Sequence, residues 1–202
     1  MIAECVYGSR KNGLRLPKPK FILSIIGGTK NFKISEKGLE TEKAFKNGLM
    51  KAAKISDTWI ITDGIDIGAM KLVGDAISEE TDSCNFTVLG ITERKKIFGK
   101  YPEVRKKSDG IPLEKNAYLL NENNTSFIFI DNENNDESEF RTRFEAHILR
   151  TLNIPMFLFV INGDLNTLEV ISRSLDQRLS IVIFAVSFNN FNSFRCLKFL
   201  SS

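Results

Sequence analysis

Glycine and short polar residues follow the ends of several apolar runs in this sequence, and these residue types can bring backbone N–H groups close to a ligand. The run FILSII, residues 21–26, ends in Gly27 and Gly28, and Asn31 follows three positions later. A tight turn requires only one glycine, whereas a pair of glycines lets the backbone approach a ligand closely. Bare backbone amides attract anions, so we interpret this stretch as a candidate phosphate loop.

A second stretch, DGIDIGAMK at residues 63–71, has the same character. Its pattern predicts a loop containing Gly64, followed by a helix that opens at Gly68. The start of a helix carries free N–H donors and a dipole that favours phosphate. The stretch lacks both the G-x-x-x-x-G-K-[ST] and the G-x-G-x-x-G patterns of nucleotide-binding loops. Taken alone, it is as consistent with ordinary turns as with phosphate binding.

The surrounding sequence alternates β-branched or aromatic runs with segments of helical period, which is typical of strand-helix units around a parallel sheet. It predicts an α/β fold with a doubly wound, mostly parallel sheet of six strands. The predicted strands are residues 21–26, 59–62, 86–91, 126–130, 156–161 and 181–186. The apolar helix faces predicted to pack on the sheet are Phe45, Leu49 and Ala53; Met70, Val73 and Ile77; Phe140, Phe144 and Ile148; and Leu168, Ile171 and Leu175.

The segments that follow the predicted strands are rich in Gly, Asn and Asp. In open parallel sheets ligands bind beyond the carboxyl ends of the strands, because loops and helix starts gather at that edge. Several such segments at one edge are a stronger signal than any single turn. They are residues 27–31, residues 63–68, Gly90, residues 131–132 and residues 162–164.

Length and composition favour one soluble globular domain. The chain has 202 residues, 42% of them hydrophobic, which is enough for one sizeable core. We expect an extended lead-in at residues 1–20, a single domain over residues 21–202, and an irregular basic insertion at about residues 92–124.

The charge and the cysteines exclude several classes of function. A formal charge of +3 is too small to indicate a nucleic-acid partner. The three cysteines are widely spaced and odd in number, which argues against disulfides and zinc and favours a reducing cytosol. The most apolar late run, SIVIFAVSF, is too short to span a membrane, so no span is expected in this chain.

Several segments resemble a known family in the same order along the chain. LPKPKFILSIIGGTKNF and KNGLMKAAKISDTWIITDGIDIGAMKLVGDAI are similar to the start of the cytosolic N-terminal region of melastatin-type transient receptor potential (TRPM) cation channels. That region belongs to the SLOG superfamily, which is related to the LOG proteins. NNTSFIFIDN, EFRTRFEAHI and IPMFLFVINGDLNTLEVISRSL continue the resemblance, so that nearly all of residues 16–175 is covered.

The resemblance implies a Rossmann-like, nucleotide-sensing domain on the cytosolic face of a membrane. Such a domain assembles with the other subunits of a tetrameric, calcium-permeable channel, and as this fragment alone it would be soluble in the cytoplasm. Some members bind ADP-ribose-type nucleotides, which makes such a nucleotide the expected ligand. The resemblance implies neither a catalytic residue nor a metal site.

The resemblance also implies six ligand-binding residues. Gly27, Gly28 and Asn31 match the family's first phosphate-side loop, and Gly64 and Gly68 match the glycines of its second loop. Arg141 matches the first arginine of a helix that contacts the nucleotide, and a guanidinium pairs well with phosphate oxygens. The alternative for Arg141 is a surface arginine that pairs with Glu137 or Glu145 at helical spacing.

Three departures from the family pattern keep a ligand-free scaffold open as an alternative. Asp63 stands where the family usually has glycine, and its carboxylate should weaken phosphate binding. ENNDES replaces a Gly-Lys-Tyr-Gly loop before the Arg141 helix. After the last predicted strand, AVSFNNFNSF lacks the arginine of the family's last loop.

A LOG-like nucleoside monophosphate phosphoribohydrolase is a further alternative. Those enzymes use a glutamate three residues after a threonine, but that position here is Val170 after Thr167. Glu169 falls one position early and about 100° away around a helix. His147 is the only histidine and lies in an amphipathic helix, where a structural role is commoner. We therefore expect a binding domain without catalytic residues.

Overall fold

The computed structural model describes residues 16–27, 39–55, 57–80, 86–98, 118–131, 137–161, 165–176, 181–185 and 195–199. Strands and helices alternate along these segments. The strands are β1 (Phe21–Gly27), β2 (Thr58–Thr62), β3 (Phe86–Glu93), β4 (Ser126–Ile130), β5 (Met156–Ile161), β6 (Ile181–Ala185) and β7 (Arg195–Phe199). The helices are α1 (Leu39–Ala53), α2 (Gly68–Ser78), α3 (Arg94–Phe98), α4 (Glu137–Leu152) and α5 (Leu165–Asp176).

Five strands form a parallel sheet in the order β4-β3-β2-β1-β5. The chain moves outward from β1 through β2, β3 and β4, and then returns to place β5 on the other side of β1. This reversal makes the junction of β1 and β5 the topological switch point, where doubly wound sheets bind ligands. The predicted α/β, doubly wound class is confirmed.

Two apolar layers cover the sheet. One layer joins Leu23 and Ile25 of β1 to α1 and α2, and the other joins Ile22 of β1 to α4. Alternate strand residues point to opposite faces, so each strand contributes to both layers. The sheet is therefore buried on both sides, as its nearly continuous apolar strands predict.

The predicted single sheet of six strands is wrong. Within the described chain β6 pairs antiparallel with β7 in a separate two-stranded sheet, and β7 was not predicted. Local periodicity identifies a strand but does not determine its partner or its direction. Gly90 also lies inside β3, which continues to Glu93, and not in a loop after it.

The apolar face predicted for α5 is wrong at two of its three residues, and the third, Ile171, is partly buried against an apolar cluster. Leu168 is 61% exposed and Leu175 39% exposed, whereas Thr167, Val170 and Ser174 are buried. Both sets have helical spacing, but the buried one combines a single apolar residue with two hydroxyl residues. Hydrophobic periodicity cannot detect such a face.

None of the helices within the described residues is both long and apolar enough to cross a membrane.

Candidate functional site

Gly27 ends β1 at the switch point. It pairs in register with Ile161, the last residue of β5. A Cβ added to Gly27 would lie 2.4 Å from the Ile161 carbonyl oxygen and 2.8 Å from the Ala69 Cβ in the first turn of α2. Only glycine allows the ends of β1 and β5 and the start of α2 to approach so closely.

The helix α2 begins at this edge without a side-chain cap. Gly68 adopts a positive φ of 58°, which glycine accommodates easily, so the chain turns there into the helix. Ile67 precedes it in an extended conformation, and its side chain makes no capping hydrogen bond. The first N–H groups of a helix have no partner within the helix, and the N-cap side chain does not supply one to α2. This start of α2 can therefore attract an anion.

Gly64 has a structural role in the loop after β2. Its φ is 73°, and an added Cβ would lie 3.0 Å from the Gly90 Cα and 3.1 Å from the Phe127 ring. Its N–H donates to Thr62 Oγ1 at 3.0 Å, and its carbonyl accepts from the Asn121 N–H at 2.9 Å. The Gly64 amide is thus already used within the chain.

Arg141 is buried at the carboxyl edge on the α4 side of the sheet, and its side chain is only 3% exposed. Its Nε donates to Glu145 Oε1 at 3.0 Å, and its Nη1 donates to Asp63 Oδ1 at 2.6 Å. Its Nη2 lies 2.9 Å from Ser24 Oγ and 2.9 Å from the Ile25 carbonyl oxygen. The surface location in the alternative is therefore wrong, but its pairing with Glu145 at helical spacing is present.

The same guanidinium ties two neighbouring strands. Its Nη2 also lies 3.0 Å from the Ile61 carbonyl oxygen of β2, in addition to the Ile25 oxygen of β1. Ser24 supports the arrangement by donating to Glu145 Oε1 at 2.6 Å. Burial alone would lower the pKa of Arg141, but Glu145 and Asp63 outweigh it and raise that pKa. Arg141 is therefore charged, and its hydrogen bonds connect β1, β2 and α4 within the domain.

Asp63 is the partner that lies nearest to solvent, with 20% of its side chain exposed. Burial raises the pKa of the Asp63 carboxyl to about 6, although the positive charge of Arg141 opposes this rise. Glu137 and Glu145 add to the rise, and Lys96 opposes it. The carboxylate is thus held beside Arg141 at an energetic cost.

A second ion pair lies at the same edge. Lys96 Nζ lies 2.8 Å from Glu137 Oε2, and the Glu93 N–H donates to the same oxygen at 3.1 Å. Burial alone would lower the pKa of Lys96. Glu137 and the other nearby carboxylates together outweigh this effect, so that the pKa lies above its usual value. Despite these carboxylates, no group of three metal-binding side chains occurs within the described segments.

Comparison with known proteins identifies the family. Residues 6–188 match the model of the family described as SLOG in TRPM. The chain belongs to the TRPM SLOG family. Its match extends over most of the sequence, so the resemblance of the opening segments holds for the whole sheet.

Curated relatives of this SLOG domain are subunits of cation channels. The chain is 29% identical over 184 residues to transient receptor potential cation channel subfamily M member 6 of Mus musculus, covering 82% of this chain and 9% of the relative. It is 29% identical over 175 residues to the trpm channel of Drosophila melanogaster, covering 77% and 8%. It is 25% identical over 193 residues to a subfamily M member-like 2 protein of Nematostella vectensis, covering 82% and 12%. The chain thus spans about a tenth of the length of these relatives.

The SLOG domain brings some of the predicted ligand residues together. Gly27 lies against the first turn of α2, next to Gly68, whereas Gly64 is displaced toward Gly90 and Phe127. Arg141 reaches the same edge from the opposite face of the sheet. Gly28 and Asn31 lie outside the described residues, as do Asn132 and residues 162–164.

Sequence reasoning missed the polar cluster around Arg141 in this SLOG domain. One signal was available, because Ser24 interrupts the otherwise apolar run FILSII. A buried hydroxyl in a central strand requires a polar partner, which here is Glu145. Asp63 was noted as an obstacle to phosphate, but its pairing with Arg141 was not predicted.

The position compared with the glutamate of the LOG enzymes does not carry a carboxylate. Val170 is buried in the apolar cluster with Ile26, Leu158 and Val160. Glu169 lies on the exposed side of α5 and pairs with Arg173 at 2.6 Å. The hydrolase alternative therefore gains no support from α5.

Proposed function

We propose that this chain is the N-terminal regulatory domain of a TRPM-type, calcium-permeable cation channel, where it senses a nucleotide and takes part in subunit assembly on the cytosolic side of the membrane. The homology to TRPM channel subunits supports the placement. The proposed ligand is a nucleotide with a diphosphate group, of the ADP-ribose type. The domain acts by binding, and no catalytic residue is assigned.

The observation that carries the nucleotide-sensing proposal is the meeting of β1, β5 and the start of α2 at the switch point. Gly27, the end of β5 and the uncapped start of α2 meet there within van der Waals contact. The first N–H groups of α2 and the positive end of its dipole suit a phosphate group. Gly28 follows Gly27 directly, Asn31 lies four positions after Gly27, and both belong to the proposed site.

The substitution Ile67→Asp tests this site. Ile67 has the extended backbone of a helix N-cap, so an aspartate there should accept hydrogen bonds from the first turn of α2 and add a negative charge. Ile67 packs against the core, so we expect the free variant to be more stable by about 0.5–2 kcal/mol than Ile67→Ala, which loses the same packing. The rise in melting temperature that ADP-ribose causes in the unaltered chain should disappear, as measured by differential scanning fluorimetry.

Ile67→Ala is the matched control, because it removes the same apolar side chain without adding a cap or a charge. This variant should keep the response to ADP-ribose. If Ile67→Asp responds as strongly as the unaltered chain, the nucleotide does not bind at the start of α2. If neither ADP-ribose nor another adenine nucleotide stabilises the unaltered chain, the nucleotide-sensing function is refuted.

A ligand-free scaffold is the second candidate, and one observation favours it. The guanidinium of Arg141, the cation best suited to phosphate, is already paired with Asp63 and Glu145. A scaffold would show self-association without any effect of nucleotides. Thermal shift and sedimentation measurements on the same preparation separate the two candidates.

A further inference from the structure

Asp63 lies between the guanidinium of Arg141 and solvent. Its Oδ1 accepts from Arg141 Nη1 at 2.6 Å, and its side chain is 20% exposed against 3% for Arg141. In the part of the chain that the structure describes, Asp63 Oδ2 has no hydrogen-bond partner, and it is not among the buried unpaired atoms. One carboxylate oxygen therefore binds the guanidinium while the other faces outward.

The remaining donors of Arg141 are held by the chain. Its Nε is bound to Glu145, and its Nη2 is bound to Ser24 and to the carbonyl oxygens of Ile25 and Ile61. The side chain thus cannot swing out to meet a ligand without leaving Glu145 buried and unpaired. The bond from Nη1 to Asp63 is the contact of this guanidinium that lies nearest to solvent, so an incoming anion would compete with Asp63 for Nη1.

The charges around Asp63 oppose a further anion. The titratable groups that face it are Arg141, Glu137 and Glu145 of α4 and Lys96 of α3. With Asp63 ionised, three carboxylates oppose two cations in this set, and with Asp63 neutral the two signs balance. Protonation of Asp63 therefore changes the charge of this set from net negative to neutral.

We propose that Asp63 is an internal anion that occupies the phosphate position on Arg141, so that a phosphate-type ligand reaches this arginine only when the Asp63 carboxylate is neutralised or displaced. Asp63 is thus a specificity-determining residue, because its charge and position decide whether a phosphate group can bind Arg141. This inference rests on the proposed nucleotide binding at the same edge. The pKa of Asp63 lies near 6, so mild acid supplies the neutral form.

The experiment measures ADP-ribose binding by isothermal titration calorimetry to the full chain and to Asp63→Asn. We expect the variant to bind at least about tenfold more tightly at neutral pH, since it removes a like charge and leaves only a neutral amide oxygen to compete for Arg141 Nη1. Glu139→Gln is the control, because Glu139 is an exposed carboxylate of the same helix that pairs with Arg143 and is not among the groups that face Asp63. The control should not show the gain.

Two further measurements keep the inference testable if Asp63→Asn folds poorly. Asp63→Gly removes the side chain beside Arg141 altogether and should show the same gain in affinity for ADP-ribose. Lowering the pH from about 7.5 to about 5.5 should strengthen binding to the unaltered chain but not to the Asp63 variants. Both phosphates of ADP-ribose are diesters that stay ionised over this range, so the ligand does not contribute the change.

The outcomes separate this inference from the nucleotide-sensing function. Binding by the Asp63 variants alone supports the inference and refutes sensing by the unaltered chain at neutral pH. Equal binding by folded Asp63 variants and the unaltered chain overturns the inference and leaves the sensing function intact. Absence of binding in all of them, at either pH, overturns both.

Discussion

Arg141 shows how one residue can combine a family resemblance with a structural role. Its guanidinium joins β1, β2 and α4 through Asp63, Glu145 and Ser24. A buried charge is tolerated when oppositely charged groups pair with it. Removal of one member of such a pair leaves the other charge buried without a counter-charge. The arginine is therefore required for the fold whether or not a nucleotide binds.

We expect Arg141→Leu to destabilise the domain by about 3–5 kcal/mol, because Asp63 and Glu145 would remain buried without their counter-charge. Arg143→Leu is the matched control on the same helix, since Arg143 is exposed and lies 3.6 Å from Glu139. The control should change stability by less than about 0.5–1 kcal/mol. Urea denaturation followed by circular dichroism provides the measurement, and equal midpoints for the two variants would contradict the expectation.

The ionisation of Asp63 predicts a dependence of stability on pH. Its pKa rises from 3.8 to about 6 in the folded domain, mainly through burial, so the folded state binds more protons than the unfolded state between these values. The contribution of this group to stability is complete below the unfolded pKa and is lost as pH rises through about 6.

We therefore expect the unfolding free energy of the unaltered chain to gain about 1 kcal/mol, relative to Asp63→Asn, between neutral pH and about pH 5. Urea unfolding of both proteins at the two pH values measures this difference. A constant difference would show that Asp63 titrates normally in the folded domain.

At the scale of elements, the sequence predicts the boundaries of the strands well and the packing of the connecting segments less well. The first five predicted strands agree with β1 to β5 within two residues at each end, because β-branched runs bounded by Gly, Asn and Asp are a strong local signal. Residues 118–124 fall in the predicted irregular insertion, and the structure packs this segment on α2. Asn121 Nδ2 donates to the Met70 carbonyl oxygen at 3.0 Å, and the Asp66 N–H donates to the Leu119 carbonyl oxygen at 2.8 Å.

The contact between Asn121 and α2 depends on Gly74. A Cβ at Gly74 would lie 2.2 Å from Asn121 Nδ2, and Asn121 is buried and fixed by its own hydrogen bonds. We expect Gly74→Ala to lower stability by about 1–3 kcal/mol despite the higher helix propensity of alanine.

Gly48→Ala in α1 is the control, since an added Cβ there meets no atom within 4 Å. This variant should gain about 0.5–1 kcal/mol from propensity alone. Thermal unfolding of both variants gives the comparison. If Gly74→Ala is more stable than the unaltered chain, the Asn121 side chain moves away from the added Cβ without a loss of stability.

At the scale of the whole molecule, two features were beyond the reach of sequence patterns. The pairing of β6 with β7 depends on residues that approach only in the folded chain. The cluster of Arg141, Asp63 and Ser24 joins positions separated by 78 and 117 residues, and no local period connects them. Family resemblance indicated the arginine, but only the tertiary structure reveals its partners.

The proposed assembly with other copies predicts a contact through α5. Leu168 and Leu175 lie seven residues apart on one side of this helix and are 61% and 39% exposed. Large exposed apolar residues in a row often mark a contact surface. We expect the chain to self-associate with rising concentration in sedimentation velocity experiments, and Leu168→Lys to weaken that association at least about tenfold.

Ile55→Lys is the control for this experiment. Ile55 is 81% exposed but stands apart from the α5 pair, just after α1. Its substitution should leave self-association unchanged. A chain that stays monomeric at every concentration, or one that loses association equally in both variants, would contradict a specific contact through α5.

The single tryptophan has a practical consequence for such studies. Trp59 is buried near the amino end of β2, where its indole Nε1 donates to the Pro17 carbonyl oxygen at 2.9 Å. The strand places this indole at the end of the sheet away from the glycines and Arg141. Its fluorescence emission is thus an intrinsic optical reporter of the sheet's amino end. A spectral change on nucleotide addition would report a change in the surroundings of this indole.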